Sequence, residues 1–334
     1  MLSLRRCLDP LVLLPLVVGC TGQGDSAAPR REPPADPFPT SREPWLWPFA
    51  ADSPWNLPHG ADLALEDAGG VCTRSVRDPS VDAWVNAAEW SQPVYRAEPG
   101  DPMVEVWEDG VLAVTVASPA GAEPAEPSWP DGDAHLQLVD AAGATVTEMW
   151  KARAREGGGW DVDSVAVNDL RGPGYGEGGV RVYGGSALGG LWRVGEVETG
   201  AWHALALSLP LEALSPELVW PATALDTSTA ASMTGDVPIG QHVALPADVE
   251  MKSLRTPQGR ALARSLRDYG AYVVDHASGF ALYAEPPAEA EAVGMREDVN
   301  AIRALLQCAT NDTAQIPGGP GDRVQPLAPG FVDE

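Results

Sequence analysis

The stretch GDAHLQLVDAAGATVTEMW, running from Gly132 to Trp150, decides the fold. Its two apolar runs, His135 to Asp140 and Ala144 to Trp150, alternate with a period near two, and a short Gly-containing segment separates them. That is the pattern of β-strands. Placing Leu136 and Leu138 on the core face turns His135, Gln137 and Val139 the other way, toward solvent or a concave sheet face.

Similar runs extend on both sides. They are Met103 to Trp107, Val111 to Ala117, Trp160 to Val167, Val180 to Tyr183, His203 to Leu209, Glu217 to Trp220, Gln241 to Leu245, Tyr272 to Asp275 and Phe280 to Ala284, with Gly or Pro in most of the gaps. The expected fold is therefore mainly β, a β-sandwich or jelly-roll-like domain with two short helices near the C-terminus. The first helix is Thr256 to Tyr269. Thr256 is its N-cap, Pro257 takes the N1 position, Leu262, Leu266 and Tyr269 form an apolar stripe, and Gly270 is the C′ stop. The second runs from about Asp298 to Cys308, with Val299, Ile302, Leu305 and Leu306 inward.

At the N-terminus Arg5 and Arg6 precede a short apolar run, Leu11 to Val18, that is too short to span a bilayer. It leads into Val17-Val18-Gly19-Cys20, which resembles the bacterial lipobox. The resemblance implies cleavage before Cys20, lipid on that cysteine, and a membrane-anchored protein of the cell envelope. Thr21, rather than Asp, after the cysteine points to the outer membrane. Residues 1–19 are thus expected to be the signal peptide, 20–47 the lipidated cysteine and a Pro-rich tether, 48–308 the β-rich domain, and 309–334 a disordered tail. Removal of Cys7 and lipidation of Cys20 leave Cys72 and Cys308 of the 4 cysteines, an expected disulfide in an oxidising compartment.

The net charge of −25 excludes nucleic acid as a partner, because no basic patch offsets it, and disfavours strongly anionic polymers. Acidic, Gly- and Pro-rich composition with 12 Trp suits an exported β-rich domain whose aromatic surfaces stack on sugars.

Six short blocks follow one another: Pro48-Phe49 with Ser53-Pro54-Trp55-Asn56; Gly132-Asp133-Ala134-His135 running into Val139-Asp140; Glu148-Met149-Trp150; His203-Ala204-Leu205; Val219-Trp220-Pro221-Ala222; and Leu266-Arg267-Asp268-Tyr269-Gly270 leading to Asp275. In order and spacing the set resembles a family of exported bacterial proteins with no established activity. It implies an exported β-rich domain and carries no chemistry over. After Asp275 the family often has an Asn-Gly turn, where this chain has His276-Ala277-Ser278-Gly279.

The chemistry is therefore argued from residues. His135 and Gln137 on one strand face are where a glycan would lie, and in a lyase a neutral His or Gln quenches a uronate charge while a Tyr or His removes the proton. The competing structural reading is a strand-end His bonded to a loop carbonyl. His203 shares its side with Leu205, Leu207 and Leu209 and is expected at the core edge, important for folding, whereas His135 is expected to be exposed and important for function. Asp140 and Glu148, with Asp161, Asp163 and Asp169, offer the paired carboxylates a hydrolase needs, although such an acidic chain places carboxylates together by coincidence. Tyr269 is a core residue of its helix unless its hydroxyl is exposed for acid or base work. Candidate catalytic residues are His135, Gln137, Asp140, Glu148 and Tyr269. Candidate ligand contacts are Asp133, Trp150, Asn168, Asp169, Arg171 and His203. The Gly-rich run after Arg171 lacks a phosphate loop's ending, no nucleophile elbow occurs, and no metal-ligand spacing or cofactor motif is present. The expected function is an envelope lipoprotein that engages polysaccharide, as a lyase, a hydrolase or a non-catalytic relative. The alternative is a structural or interaction protein of the envelope.

Overall fold

The computed structural model describes residues 38–126, 132–176 and 178–332. Cys20, the expected signal peptide and most of the expected tether lie outside the described residues. No described helix is long and apolar enough to cross a membrane.

The protein is mainly β, in several sheets with few short helices. A six-stranded mixed sheet is central. Its spatial order is Ala83–Asn86, Phe280–Tyr283, Leu205–Leu209, Ala271–His276, His242–Ala244 and Gln307–Cys308. Ala83–Asn86 runs parallel to Phe280–Tyr283, and Leu205–Leu209 parallel to Ala271–His276. A four-stranded sheet, in the order Val94–Arg96, Leu136–Val139, Thr145–Trp150 and Ser164–Asp169, lies between this centre and a third sheet built on the hairpin Met103–Glu108 and Val111–Ala117. The middle sheet sends apolar side chains to both neighbouring sheets. Leu136, Leu138 and Met149 pack with Val106 and Trp160 of the hairpin sheet, while Val139 and Val146 join the main core with Leu205, Leu207 and Val273.

Both helices expected near the C-terminus form. Pro257–Asp268 starts as its cap requires, the Thr256 hydroxyl accepting from Gly259 N at 2.9 Å. The second is shorter than its apolar stripe suggested: Arg296–Arg303 ends early, and Gln307–Cys308 becomes an edge strand. Cys72, on the short helix Val71–Val76, is disulfide-bonded to Cys308 with Cα atoms 6.1 Å apart, closing 236 residues. Two strand expectations are corrected. Val180 to Tyr183 is a turn, with Arg181 and Tyr183 both buried, and Trp160 to Val167 is two strands in different sheets.

The segment expected to be a disordered tail is held along most of its described length. Leu65 bridges Ala309, Gly60 bridges Arg323, and Arg42 bridges Phe331. A Cβ on Gly60 would sit 2.0 Å from the Pro320 carbonyl oxygen, so this contact needs glycine. The polar anchor is Asp312. Its Oδ2 lies 2.6 Å from His242 Nδ1 and accepts the Tyr272 hydroxyl at 2.8 Å. His242 stacks on Tyr272 with ring centroids 4.4 Å apart, and its Nε2 lies 2.9 Å from the Tyr269 carbonyl and 3.3 Å from His59 Nε2. His59 Nδ1 lies 2.9 Å from the Arg267 carbonyl and so carries that ring's proton. Burial, and then the charge of His242, hold the His59 pKa down to about 3. His242 thus sits between the Asp312 carboxyl on its Nδ1 side and the Tyr269 carbonyl and His59 ring on its Nε2 side. Burial works to raise the Asp312 carboxyl, but the charge of His242 and the bonds from His242 and Tyr272 hold it below its ordinary range. This buried contact of His242 with the Asp312 carboxyl ties residues 59, 242, 272 and 312 together.

Candidate functional site

Where the middle and central sheets meet, polar groups replace the apolar core. Gln137 and Glu148 are cross-strand partners on the middle sheet, and both are fully buried. Gln137 Nε2 donates to Gln92 Oε1 at 2.6 Å. Glu148 accepts from the Ser186 hydroxyl and, at 2.9 Å, from Ala187 N. Burial pushes its carboxyl up to about 7 against those bonds and the charge of Arg181. His135 is also buried, and its Nδ1 has no partner among the described residues. Burial first, and then the positive charge of Arg181, lower its pKa, so the ring is neutral at pH 7.

Arg181 is the centre of this cluster. It is 3% exposed, its guanidinium carbon is 3.7 Å from the Tyr283 ring centroid, and none of its side-chain nitrogens finds a hydrogen-bond partner among the described residues. Its charge is felt by Glu148, His135, Asp275 and Tyr283. Asp275, near the end of Ala271–His276, is partly exposed. Burial raises its carboxyl, with Arg181 and His276 opposing, so it keeps its proton above the ordinary carboxylate range.

Tyr283 and Asp133 carry the cluster to the surface, where they line a cleft of about 610 Å³ with Trp84, Asn86, Glu89, Trp90 and His276. This volume suits a small ligand or a few units of a chain. Trp84 comes from the outer strand of the central sheet, where its indole donates to Asn86 Oδ1 at 2.5 Å. Trp90 sits in the loop leading to the middle sheet and Tyr283 ends the adjoining strand, so the cleft lies at the seam of two sheets. Its ionisable lining groups are Glu89, Asp133, His276 and the Tyr283 hydroxyl, and the raised carboxyl of Asp275 lies next to His276 in sequence.

The sequence-predicted residues divide accordingly. Asp133, His135, Gln137 and Glu148 gather here, but only Asp133 reaches the cleft. The expectation that His135 is exposed is wrong: it is 5% exposed, because a second sheet covers the polar face of its strand. Asp140 caps its turn, accepting from Ala144 N and Thr145 N at 2.9 and 3.0 Å and from the Thr145 hydroxyl at 2.6 Å, and this role leaves it no catalytic one. Tyr269 is buried at the end of its helix, burial raises its hydroxyl pKa, and it does not line the cleft. Trp150 donates to Asp133 Oδ1 at 3.1 Å and so positions a cleft residue. Asn168 is buried, Asp169 accepts from Arg171 N at 2.8 Å, and Arg171 lies 4.7 Å from the Phe331 ring, so none of the three lines the cleft.

His203 is at the core edge as expected. Its Nδ1 bonds the Ala204 carbonyl at 2.8 Å and its Nε2 lies 3.2 Å from Glu196. Burial works to lower its pKa, but the Glu196 charge and both bonds outweigh it and raise it. His203→Ala is expected to lower the unfolding free energy by about 1–3 kcal/mol, measured by denaturant titration. With His135 buried as well, His135→Ala is expected to lower it comparably rather than leave it unchanged. A loss within about 0.5 kcal/mol for either variant would show that side chain to be surface-like.

No family model, curated protein or solved structure matches the chain.

Proposed function

We propose that the chain is an exported lipoprotein, anchored through Cys20 in the cell envelope at the outer membrane, whose domain engages polysaccharide in the aromatic cleft and hydrolyses it. The observation that carries this reading is the electrostatic contact between Asp133, which lines the cleft, and Asp275, whose carboxyl burial raises to about 6 next to the cleft residue His276. In hydrolysis of a glycosidic bond, a protonated carboxyl gives its proton to the leaving oxygen while a carboxylate assists water or attacks from the other side. Asp275 suits the first role and Asp133 the second. Tyr283, Trp84 and Trp90 supply the walls. Elimination is the poorer reading, because the neutral His135 and Gln137 that would quench a uronate lie behind the cleft wall.

The test is incubation of the purified protein with a glycan panel, following new reducing ends and unsaturated products in parallel. Reducing ends without unsaturated product are expected. Asp275→Asn is expected to cut turnover by about 100- to 10,000-fold while leaving binding in place. The wild-type rate should fall as pH rises through the Asp275 pKa, because the acid is then lost. Binding without turnover would leave a non-catalytic glycan-binding protein, and neither binding nor turnover would leave the structural envelope protein.

A further inference from the structure

We propose that Trp90 is the platform on which the cleft holds an uncharged pyranose ring, so that the glycan engaged is a neutral one. This rests on the glycan reading of the cleft and adds to it the residue that grips the ring and the class of sugar.

The backbone argues first. Trp90 has φ +54°, in the left-handed region where a bulky side chain is an outlier and glycine is unstrained. Most described bends with this conformation use glycine, as at Gly100, Gly110 and Gly143, while Phe49, Asp109, Glu126, Ala134 and Lys151 also adopt it. Here a tryptophan is held in it, with its amide donating to the Glu126 carboxylate and its indole partly exposed on the cleft. Strain of this kind persists where surrounding structure imposes it, and it clusters at ligand sites. The second indole of the cleft, Trp84, is steered by its bond to Asn86. Flat aromatic faces with polar neighbours match a pyranose, whose C–H faces are apolar and whose rim is hydroxyl.

Charge sets the class. The charged or titratable groups lining the cleft are Glu89, Asp133, His276 and the Tyr283 hydroxyl, with no Lys or Arg among the described lining residues. His276 lies 3.6 Å from Asp226. The guanidinium of Arg181 is buried against the cleft residue Tyr283 with its nitrogens out of solvent. A uronate or sulfated sugar would meet two carboxylates and no accessible cation, whereas the hydroxyls of a neutral ring can donate to both.

The experiment is calorimetric titration of wild type, Trp90→Gly and Trp90→Ala with cello-, manno- and chito-oligosaccharides and with an oligogalacturonate, alongside thermal melts. Wild type is expected to bind at least one neutral series and not the oligogalacturonate. Both variants are expected to bind it at least about 10-fold more weakly, a loss of about 1.4 kcal/mol. Trp90→Gly should melt at or above the wild-type temperature, because glycine is unstrained there. Binding by Trp90→Gly equal to wild type, a fall of several degrees in its melting temperature, or tight binding of the oligogalacturonate would overturn the proposal while leaving the glycan reading standing. Absence of binding to every glycan by wild type would overturn both.

Discussion

Replacing Cys72 and Cys308 together by alanine is expected to lower the unfolding free energy by about 5 kcal/mol, the chain-entropy value for so long a loop. The bond closes 236 residues and joins the helix Val71–Val76 to the edge strand of the central sheet. A loss of this size is a large share of a domain's net stability. Denaturant titration of wild type and the double variant, with and without reductant, measures it. Reductant should move wild type to the variant's midpoint and leave the variant where it is. Coincident wild-type curves in the two conditions would mean that the bond does not constrain the unfolded chain.

The second large effect is expected at Asp312. Asp312→Ala removes the buried carboxyl that holds both the His242 ring and the Tyr272 hydroxyl, and breaking a buried pair from one side costs about 3–5 kcal/mol. The same change frees the segment after Ala309, so limited proteolysis should cut there in the variant and not in wild type. The pH dependence has a definite sign. Asp312 is depressed on folding, so its contribution is present above the ordinary carboxylate value of 3.8 and is lost as pH falls through the folded value. His59 acts in the same direction. The unfolded chain protonates it below 6.5 while the folded chain refuses the proton down to about 3, so stability falls as pH drops through that window. Glu148 opposes both, since its carboxyl is raised to about 7 and the stability it contributes at low pH is lost as pH rises through that value. Wild type should therefore lose stability at both ends, and Asp312→Ala should lose less than wild type on the acid side. A change below about 1 kcal/mol at neutral pH would contradict the anchoring role of Asp312.

What the sequence made legible follows from range. The helix Pro257–Asp268 was readable because its cap, its first-turn proline and its glycine stop are all local, and the hairpin Met103–Glu108 with Val111–Ala117 because its alternation and turn are local too. The strand Ala83–Asn86 was not, since it is short and its partner lies some two hundred residues away at Phe280–Tyr283. Val180 to Tyr183 has the composition of a strand, yet its residues serve a turn that buries Arg181 and Tyr183. Period-two alternation correctly put His135 and Gln137 on one face and the leucines on the other. It could not say that a second sheet covers the polar face. Half of the site was visible for that reason: Asp133, His135, Gln137 and Glu148 share one hairpin, while Arg181, Asp275, Tyr283, Trp84 and Trp90 arrive from elements that only the strand order of the central sheet brings near. Asp275 and His276 end the strand Ala271–His276, and only His276 of the two lines the cleft. The segment after Ala309 lacks any helical or strand period, so composition suggests fraying. Its anchors are single side chains, such as Asp312 and Arg323, whose partners lie far away in sequence.

The most direct measurement is the structure of the protein with a neutral oligosaccharide bound. The expected result is a sugar ring over the Trp90 indole, with a glycosidic oxygen within hydrogen-bond distance of Asp275 and Asp133 on the other side of that bond. An oligosaccharide bound elsewhere on the protein, with the cleft at Trp84, Asp133 and Tyr283 unoccupied, would contradict it.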